Sequence, residues 1–454
     1  MPHRVVMTGM GWVTPLGHDV DTVWNRLLKG DSGVGRVSHF DASTFKTNFA
    51  AEVKGFDLAN FLSKDKLAEH ADAGLSTRFA LGAAAQACRQ AGLDTLGASG
   101  KLNRRRFGLY FGAGEGTLDF DNYAAANVAG WDEAAHGGRG AFDAARWAKK
   151  AYACMTPVNE IEQEPQMTLG HVAEAMGCHG PSSNCMTACA ASTQAVGEAS
   201  EILRHGDADV MLAGGAHSMI HPLGMTGFIR LTAMSRRNDD PAHAPRPFDA
   251  TRDGFVMGEG AGVVVLETLE HARARGARIL CEIAGYGSTA DAFRITDIQP
   301  DGKGGAGAML AACRQAGINP RETLADGRAP VHYISAHGTG TTENDSIETK
   351  AVKLVFGPLA PKVPFSSVKS MLGHLIQAAG AVELITCVQA IRTGWLPPTM
   401  NLTHPDPECD LDHIPNAPRD CRGPDGKSRV DVCLSNSFGF GGQNDTVCVR
   451  RFVE

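Results

Sequence analysis

Short apolar runs punctuated by glycine constrain this chain more than any other feature. RVVMTGMG, RFGLYFGAGEG, ADVMLAGGA, GAGVVVLETL and VHYISAHGTGT read as buried strands that meet glycine-rich turns. Helical patterns alternate with them. Ala195, Val196, Ala199, Ile202 and Leu203 follow Cys189 at helical spacing, and Leu375, Ala378, Ala379, Val382 and Ile385 follow His374 in the same way. Strands alternating with helices predict an α/β fold with largely parallel sheets. With 454 residues, 43% of them hydrophobic, the chain has ample material for a large core.

An internal echo suggests two halves. LYFGAGEGT resembles YISAHGTGT. ACAASTQAVGEASEILRHG resembles GHLIQAAGAVELITCVQAIRTG, each a reactive side chain opening an apolar helix that ends in glycine. Duplication and chance likeness between Gly- and Ala-rich segments both account for this. Read as duplication, it divides the chain into halves 1–275 and 276–454, with the join at the charged stretch EHARARGARI. Residues 118–165 are poor in strand pattern and read as a cap inserted over the first half. Residues 236–253 and 403–429 read as polar surface excursions.

Bulk properties exclude several classes. A formal net charge of -7 does not suit general nucleic-acid binding. The start, MPHRVVMTGMGWVTPLG, lacks the charge pattern and long apolar run of a signal peptide, and no uninterrupted apolar stretch of about 18 residues predicts membrane insertion. The twelve cysteines include no Cys-x-x-Cys pair, and no matching ligand pair follows Cys185 and Cys189 at zinc-site spacing. Reduced thiols in the cytoplasm, with no metal site, are expected.

Cys189, in MTACAAST, sits among small residues at the expected first turn of a helix. Helix N–H groups there would favour a thiolate and lower its pKa, and the Cys189 N–H would point at a developing oxyanion. Taken alone, a packed inert cysteine is the favoured reading. His337 ends a buried strand before a Gly/Thr loop, SAHGTGTTEND, where α/β folds present functional groups. His374 adjoins an apolar helix, so a buried, hydrogen-bonded and neutral imidazole is expected. Lys369 and Glu383 lie in the same apolar surroundings and want partners, in an ion pair or a polar network. SNSFGFGGQN is either a hairpin turn or a moving gate with Phe440 as its bulky element.

Together these pieces resemble the elongating β-ketoacyl-acyl-carrier-protein synthases (synthase II-like ketosynthases) of the thiolase superfamily. The likeness runs through RVVMTGMGWVTPLG, TACA, RPFDATRDGFVMGEGAG, AHGTGT, KSMLGH with AAGAVE, and NSFGFGG, in that order. It implies a duplicated five-layered α-β-α-β-α thiolase fold. It implies Cys189 as nucleophile and His337 and His374 as the two catalytic histidines, with Lys369 and Glu383 in support and Asp345 and Glu348 as neighbouring acids. Phe440 matches the gating Phe, its N–H joining that of Cys189 in an oxyanion hole. Thr339 and Thr341 match contacts to the phosphopantetheine arm. The implied reaction is decarboxylative Claisen condensation of an acyl-enzyme with malonyl-acyl carrier protein. No cofactor is implied, since the prosthetic arm belongs to the carrier. The implied partners are acyl carrier protein and a second subunit, either a copy of the chain or a chain-length-factor-like paralogue.

Some positions depart from the family pattern. Glu115 stands where an apolar residue usually lines the acyl pocket, and a carboxylate there disfavours a long saturated chain. Arg294 stands where a mobile-loop His is common, and Gln443 where Thr is. These departures suggest a specialised, polyketide- or polyene-like pathway, with fatty-acid synthesis as the other reading. Lys64, Lys66, Arg236 and Arg237 match a basic carrier-docking surface. A coenzyme A thiolase is the rival enzyme, but its second catalytic Cys has no counterpart in NSFGFGGQN. A Cys-His hydrolase leaves the second His motif unexplained.

Overall fold

The structure, a computed structural model, describes residues 2–114, 118–295 and 297–454. Its ten principal strands are β1 (Val5–Val13), β2 (Phe107–Gly112), β3 (Ser182–Cys185), β4 (Val210–His217), β5 (Gly260–Thr268), β6 (Cys281–Ala290), β7 (Tyr333–Ser335), β8 (Phe365–Ser366), β9 (Val432–Gly439) and β10 (Gln443–Arg450). They lie in the order β8-β7-β9-β10-β6-β1-β5-β4-β2-β3. Read outward from the middle, the first half runs 1-5-4-2-3 and the second 6-10-9-7-8, which is the same order repeated. The pairings repeat too. β5 pairs antiparallel with β1 on one side and with β4 on the other, and β2 then pairs in parallel with β4 and β3. β6, β10, β9, β7 and β8 follow the same pattern. The halves meet where β1 and β6 pair antiparallel, Val5 opposite Ile283.

The sheet is therefore mixed, with five antiparallel and four parallel pairings, not largely parallel as the alternation predicts. The apolar runs did report burial on both faces, since every residue of β1, β4 and β5 is buried. Burial on both faces usually accompanies parallel strands. Here antiparallel strands are covered on both sides as well, because helices occupy three separate layers.

Those layers follow from the principal helices: α1 (Leu75–Ala91), α2 (Gln166–Met176), α3 (Ala191–His205), α4 (Lys303–Gln315), α5 (Thr342–Phe356) and α6 (Ala379–Thr393). α1 covers β1 and β5 on one outer face, with α2 against it, and α4 covers β6 and β10 on the other, with α5 against it. Between the sheet halves lie α3, on β2 and β4, and α6, on β5 and β9, in contact with each other. This is the duplicated α-β-α-β-α thiolase architecture. A helix between two sheets has no wet side, so α6 is buried from Ala379 through Ile391 and reads as apolar all round. Close approach of the two central helices needs small residues. A Cβ on Gly380 of α6 would fall 1.9 Å from Thr193 Oγ1 of α3.

Within 118–165 the described residues form the helices Phe120–Gly130, Ala144–Cys154 and Pro157–Glu162, and the two-residue strands Trp131–Asp132 and Ala141–Phe142 pair with each other alone. All twelve cysteines are free. Among the described residues, no helix is long and apolar enough to cross a membrane.

Candidate active site

Each central helix is entered through the same strained turn. After β3, a single 3-10 turn, Ala188–Ala190, leads into α3, and Ala188 holds φ at +47°. In the second half a 3-10 turn, Ile376–Ala378, leads into α6, and Ile376 holds φ at +41°. Positive φ is costly for residues with a Cβ and persists where surrounding packing enforces it. The turn lifts the next side chain out of the helix line: Cys189 in the first half, Gln377 in the second. The counterpart of Cys189 is thus Gln377, and His374 lies three residues before it. Cys189 is in the 3-10 turn, two residues before the α-helix predicted to begin at it.

His374 is anchored by its backbone, its N–H donating to Val256 O at 2.7 Å and its C=O accepting from Gly258 N–H at 2.9 Å. Its Nδ1 accepts from the Ile376 N–H at 3.3 Å, which places the imidazole proton on Nε2. That Nε2 lies 3.0 Å from Cys189 Sγ. His337 follows β7. Its N–H and that of Gly338 donate to the two oxygens of Glu348 on α5, at 3.0 and 2.8 Å, and Asn436 donates to the same carboxylate at 3.2 Å. Asp345, also on α5, accepts from the N–H groups of Phe248 and Gly340. The ligand-capable atoms of Cys189, His337 and His374 all lie within 4.8 Å of one another, and all three residues are buried.

Lys369 and Glu383, both buried, form an ion pair, and Lys369 Nζ also donates to His337 O at 2.6 Å. The ammonium thus joins the segment bearing one histidine to the helix that follows the other.

Burial decides the protonation states. It raises the Cys189 thiol to about 11, against the opposing pull of the Lys369 charge and of hydrogen bonds from the Phe440 and Cys189 N–H groups. The lowered thiol pKa expected from the helix end is therefore corrected: desolvation outweighs the nearby N–H groups. His337 and His374 are held well below the ordinary imidazole value, first by burial and then by Lys369, so both are neutral N–H donors near neutral pH. Burial also raises Glu348 and Glu383 to about 7.

The three residues open on a cavity of about 50 Å³, lined also by Phe255, Ile298, Thr339, Thr341, Asn344, Ile376, Phe438, Gly439 and Phe440. Phe440, Gly441 and Gly442 form the turn between β9 and β10, so the Gly/Phe segment is a hairpin tip that carries Phe440 against the cavity. Gly439 lets the tip approach, since a Cβ there would come within 2.9 Å of Thr187 O. An outer cavity of about 330 Å³ shares Ile298, Thr341, Asn344 and Phe440 with the inner one. The Thr339 and Thr341 hydroxyls lie 3.0 Å apart.

Other predicted positions fall elsewhere. Glu115 lies outside the described residues. Arg294 lines neither cavity. It is exposed and pairs at 3.0 Å with Asp297, which does line the outer one. Arg237 lies 3.6 Å from Asp253, another outer-cavity residue, and the Arg236 N–H donates to the same carboxylate at 3.0 Å. Lys64 and Lys66 are not brought to that mouth. They begin the helix Lys64–Glu69, where Lys66 pairs with Glu174 of α2 at 3.1 Å and with Glu69 at 3.5 Å.

Sequence reasoning missed Arg252, Phe255, His217 and Gln377. Arg252 donates to Thr341 O and Thr342 O at 3.0 and 2.7 Å and shapes the Gly/Thr loop from below. Phe255 packs edge-on to His374, ring centroids 5.3 Å apart. His217 carried a readable signal, since it ends a buried strand in ADVMLAGGAH as His337 nearly does in VHYISAH.

A sequence model of the β-ketoacyl synthase N-terminal domain matches residues 3–272, and one of the C-terminal domain matches 280–403. The chain belongs to the β-ketoacyl synthase family. A family relative, the 3-oxoacyl-[acyl-carrier-protein] synthase 2 of Synechocystis sp., is 40% identical over 452 residues, covering 99% of this chain and 98% of that protein. Among solved β-ketoacyl synthase folds, one is a type II PKS acyl-carrier protein in complex with its ketosynthase bound to the hexaketide. It superposes with a TM-score of 0.82 at 32% identity, each chain fully covered. The ishigamide ketosynthase/chain length factor superposes equally well at 31% identity, again with full coverage of both chains.

Proposed function

We propose that this β-ketoacyl synthase catalyses decarboxylative Claisen condensation between an acyl group held on Cys189 and malonyl-acyl carrier protein. The observation that carries the reading is the convergence of one desolvated thiol, two neutral imidazoles and two backbone N–H groups on a single buried cavity.

In the first half-reaction Cys189 Sγ attacks the acyl thioester of the carrier. The S–C bond to the phosphopantetheine thiol breaks, and the proton of Cys189 leaves with that thiol. The developing oxyanion is stabilised by the N–H groups of Cys189 and Phe440. In the second, the malonyl carboxylate leaves as CO₂ and its bonding electron pair passes into the thioester enolate. The enolate oxygen accepts from His374 Nε2–H and from His337. The α-carbon then attacks the acyl carbonyl, and the tetrahedral intermediate expels the Cys189 thiolate, which takes up one proton. Lys369 and Glu383 position the histidines and hold positive charge near the sulfur. Thr339 and Thr341 receive the phosphopantetheine arm through the outer cavity. The chemistry draws on no metal and no redox group.

Acyl carrier protein is the proposed partner, with Arg236 and Arg237 beside the mouth facing its acidic surface. The solvent-exposed Ser182 and Ser183 on edge strand β3 support a dimer through that edge, formed with a second copy or with a chain-length-factor-like paralogue. Because nucleophile and both histidines are present, this chain is the active subunit in either case. The proposed location is the cytoplasm, and the pathway is fatty-acid or specialised polyketide or polyene synthesis. The test is incubation with acyl- and malonyl-carrier protein, reading CO₂ release and β-ketoacyl product. Cys189→Ala should form no acyl-enzyme by intact mass, and normal condensation by that variant would remove the proposed nucleophile.

A further inference from the structure

A second, larger cavity of about 590 Å³ lies behind the inner one. The two share a wall. Gln377 lines the larger and its neighbour Ile376 the smaller. Phe228 of the larger packs edge-on against Phe255 of the smaller, ring centroids 5.6 Å apart. Its surface is mainly apolar, with Met219, Leu223, Phe228 and Leu231 prominent, and its volume is that of a ligand site.

Two polar side chains are set into this apolar wall. His217 is the last residue of β4, and Gln377 stands at the turn position that Cys189 occupies in the other half. Both are buried. His217 Nδ1 is hydrogen-bonded to the Gln377 side-chain oxygen, so Nδ1 carries the proton and donates. Burial pulls the imidazole down to about 4, so it is neutral and Nε2 is a bare lone pair. That Nε2 is buried and has no partner among the described residues. On the same wall His221 accepts the Gly224 N–H at its Nδ1, at 3.3 Å. A buried acceptor without a donor is unfavourable, and a ligand entering the cavity can satisfy it.

We propose that this cavity receives the acyl chain carried by Cys189, and that His217, positioned by Gln377, selects chains bearing a hydroxyl group that donates to Nε2. The proposal rests on the condensing reading above and adds the substrate class. A wall with a fixed acceptor discriminates well, because a plain alkyl chain fills the cavity and leaves the acceptor unpaired.

The test uses the full-length protein and acyl-N-acetylcysteamine thioesters: octanoyl, and octanoyl chains hydroxylated at successive carbons of the outer half. The readout is the rate of Cys189 acylation by intact mass. At least one hydroxylated isomer should acylate with kcat/KM about tenfold or more above octanoyl. His217→Leu should abolish that preference by slowing the hydroxylated chain while plain octanoyl acylates as fast or faster. The inference is overturned if no isomer exceeds octanoyl, or if the preference survives in His217→Leu. Should that variant fail to fold, the wild-type comparison decides by itself. Equal acylation by all chains overturns only the hydroxyl selection, whereas acylation by none overturns the condensing reading as well.

Discussion

Replacing Lys369 by Met tests the charge arrangement under the active site. In the wild type the Lys369 ammonium faces the Glu383 carboxylate in a buried pair, and it also holds His337 O at 2.6 Å. Removing one member of a buried pair leaves the other charge uncompensated, at a cost of about 3–5 kcal/mol. Glu383 can escape part of that cost by taking a proton. Burial already raises it to about 7 with Lys369 present, and losing the ammonium raises it further. A carboxyl whose folded pKa lies above its unfolded value is stabilising at low pH, and that stability is lost as pH rises from about 4.5 through the folded value. The wild type loses stability in the same way up to about 7, so the deficit of Lys369→Met should stay level from about pH 5 to 7 and grow above 7, by up to about 1.4 kcal/mol per unit. Lys369→Met combined with Glu383→Leu removes both charges and should recover most of the stability. The residual loss is that of the unpaired His337 carbonyl, about 1–3 kcal/mol. Activity should not recover in the double variant, because the tie between the two histidine segments is gone. Urea denaturation midpoints at several pH values, with condensation rates on the same samples, read both effects. A double variant as unstable as the single one, or a single-variant deficit that does not change with pH, would refute the reasoning.

The two histidines should fail separately from the nucleophile: His374→Ala and His337→Ala should each lower kcat for condensation by about 10²–10³. A loss below threefold for either, in single-turnover measurements from malonyl-carrier protein, would remove that imidazole from the enolate site. Because burial holds the Cys189 thiol near 11, its alkylation rate should climb almost tenfold per pH unit between about 7 and 9. A plateau below pH 8 would show that the N–H groups prevail over desolvation after all. Arg236→Glu should weaken carrier-protein binding and flatten its salt dependence. Unchanged affinity in a titration at low salt would place the docking surface elsewhere.

Much of the site was legible along the chain because its chemistry lies in short motifs whose neighbours are local. MTACAAST, SAHGTGT and KSMLGH each carry a reactive side chain together with the small residues that let backbone approach it. What sequence reasoning missed lies in pairs made across the fold. His217 and Gln377 are 160 residues apart, and only the stacking of β4 beneath the turn before α6 brings them into contact. Arg252 reaches the Gly/Thr loop across 89 residues. Lys66 shows the same limit: its carboxylate partner, Glu174 on α2, is 108 residues away along the chain and comes beside it only in the fold.

Apolar periodicity and the placement of glycine sufficed to announce buried strands and apolar helices, because those properties depend on each residue and its near neighbours, whereas the repeated half was settled by the strand order. Strand direction and thiol protonation did not follow, since both depend on what covers a segment once the chain has closed on itself. Three helical layers bury antiparallel strands on both faces as thoroughly as parallel ones. The same enclosure strips water from Cys189 and reverses the pKa shift that the local turn alone would have produced.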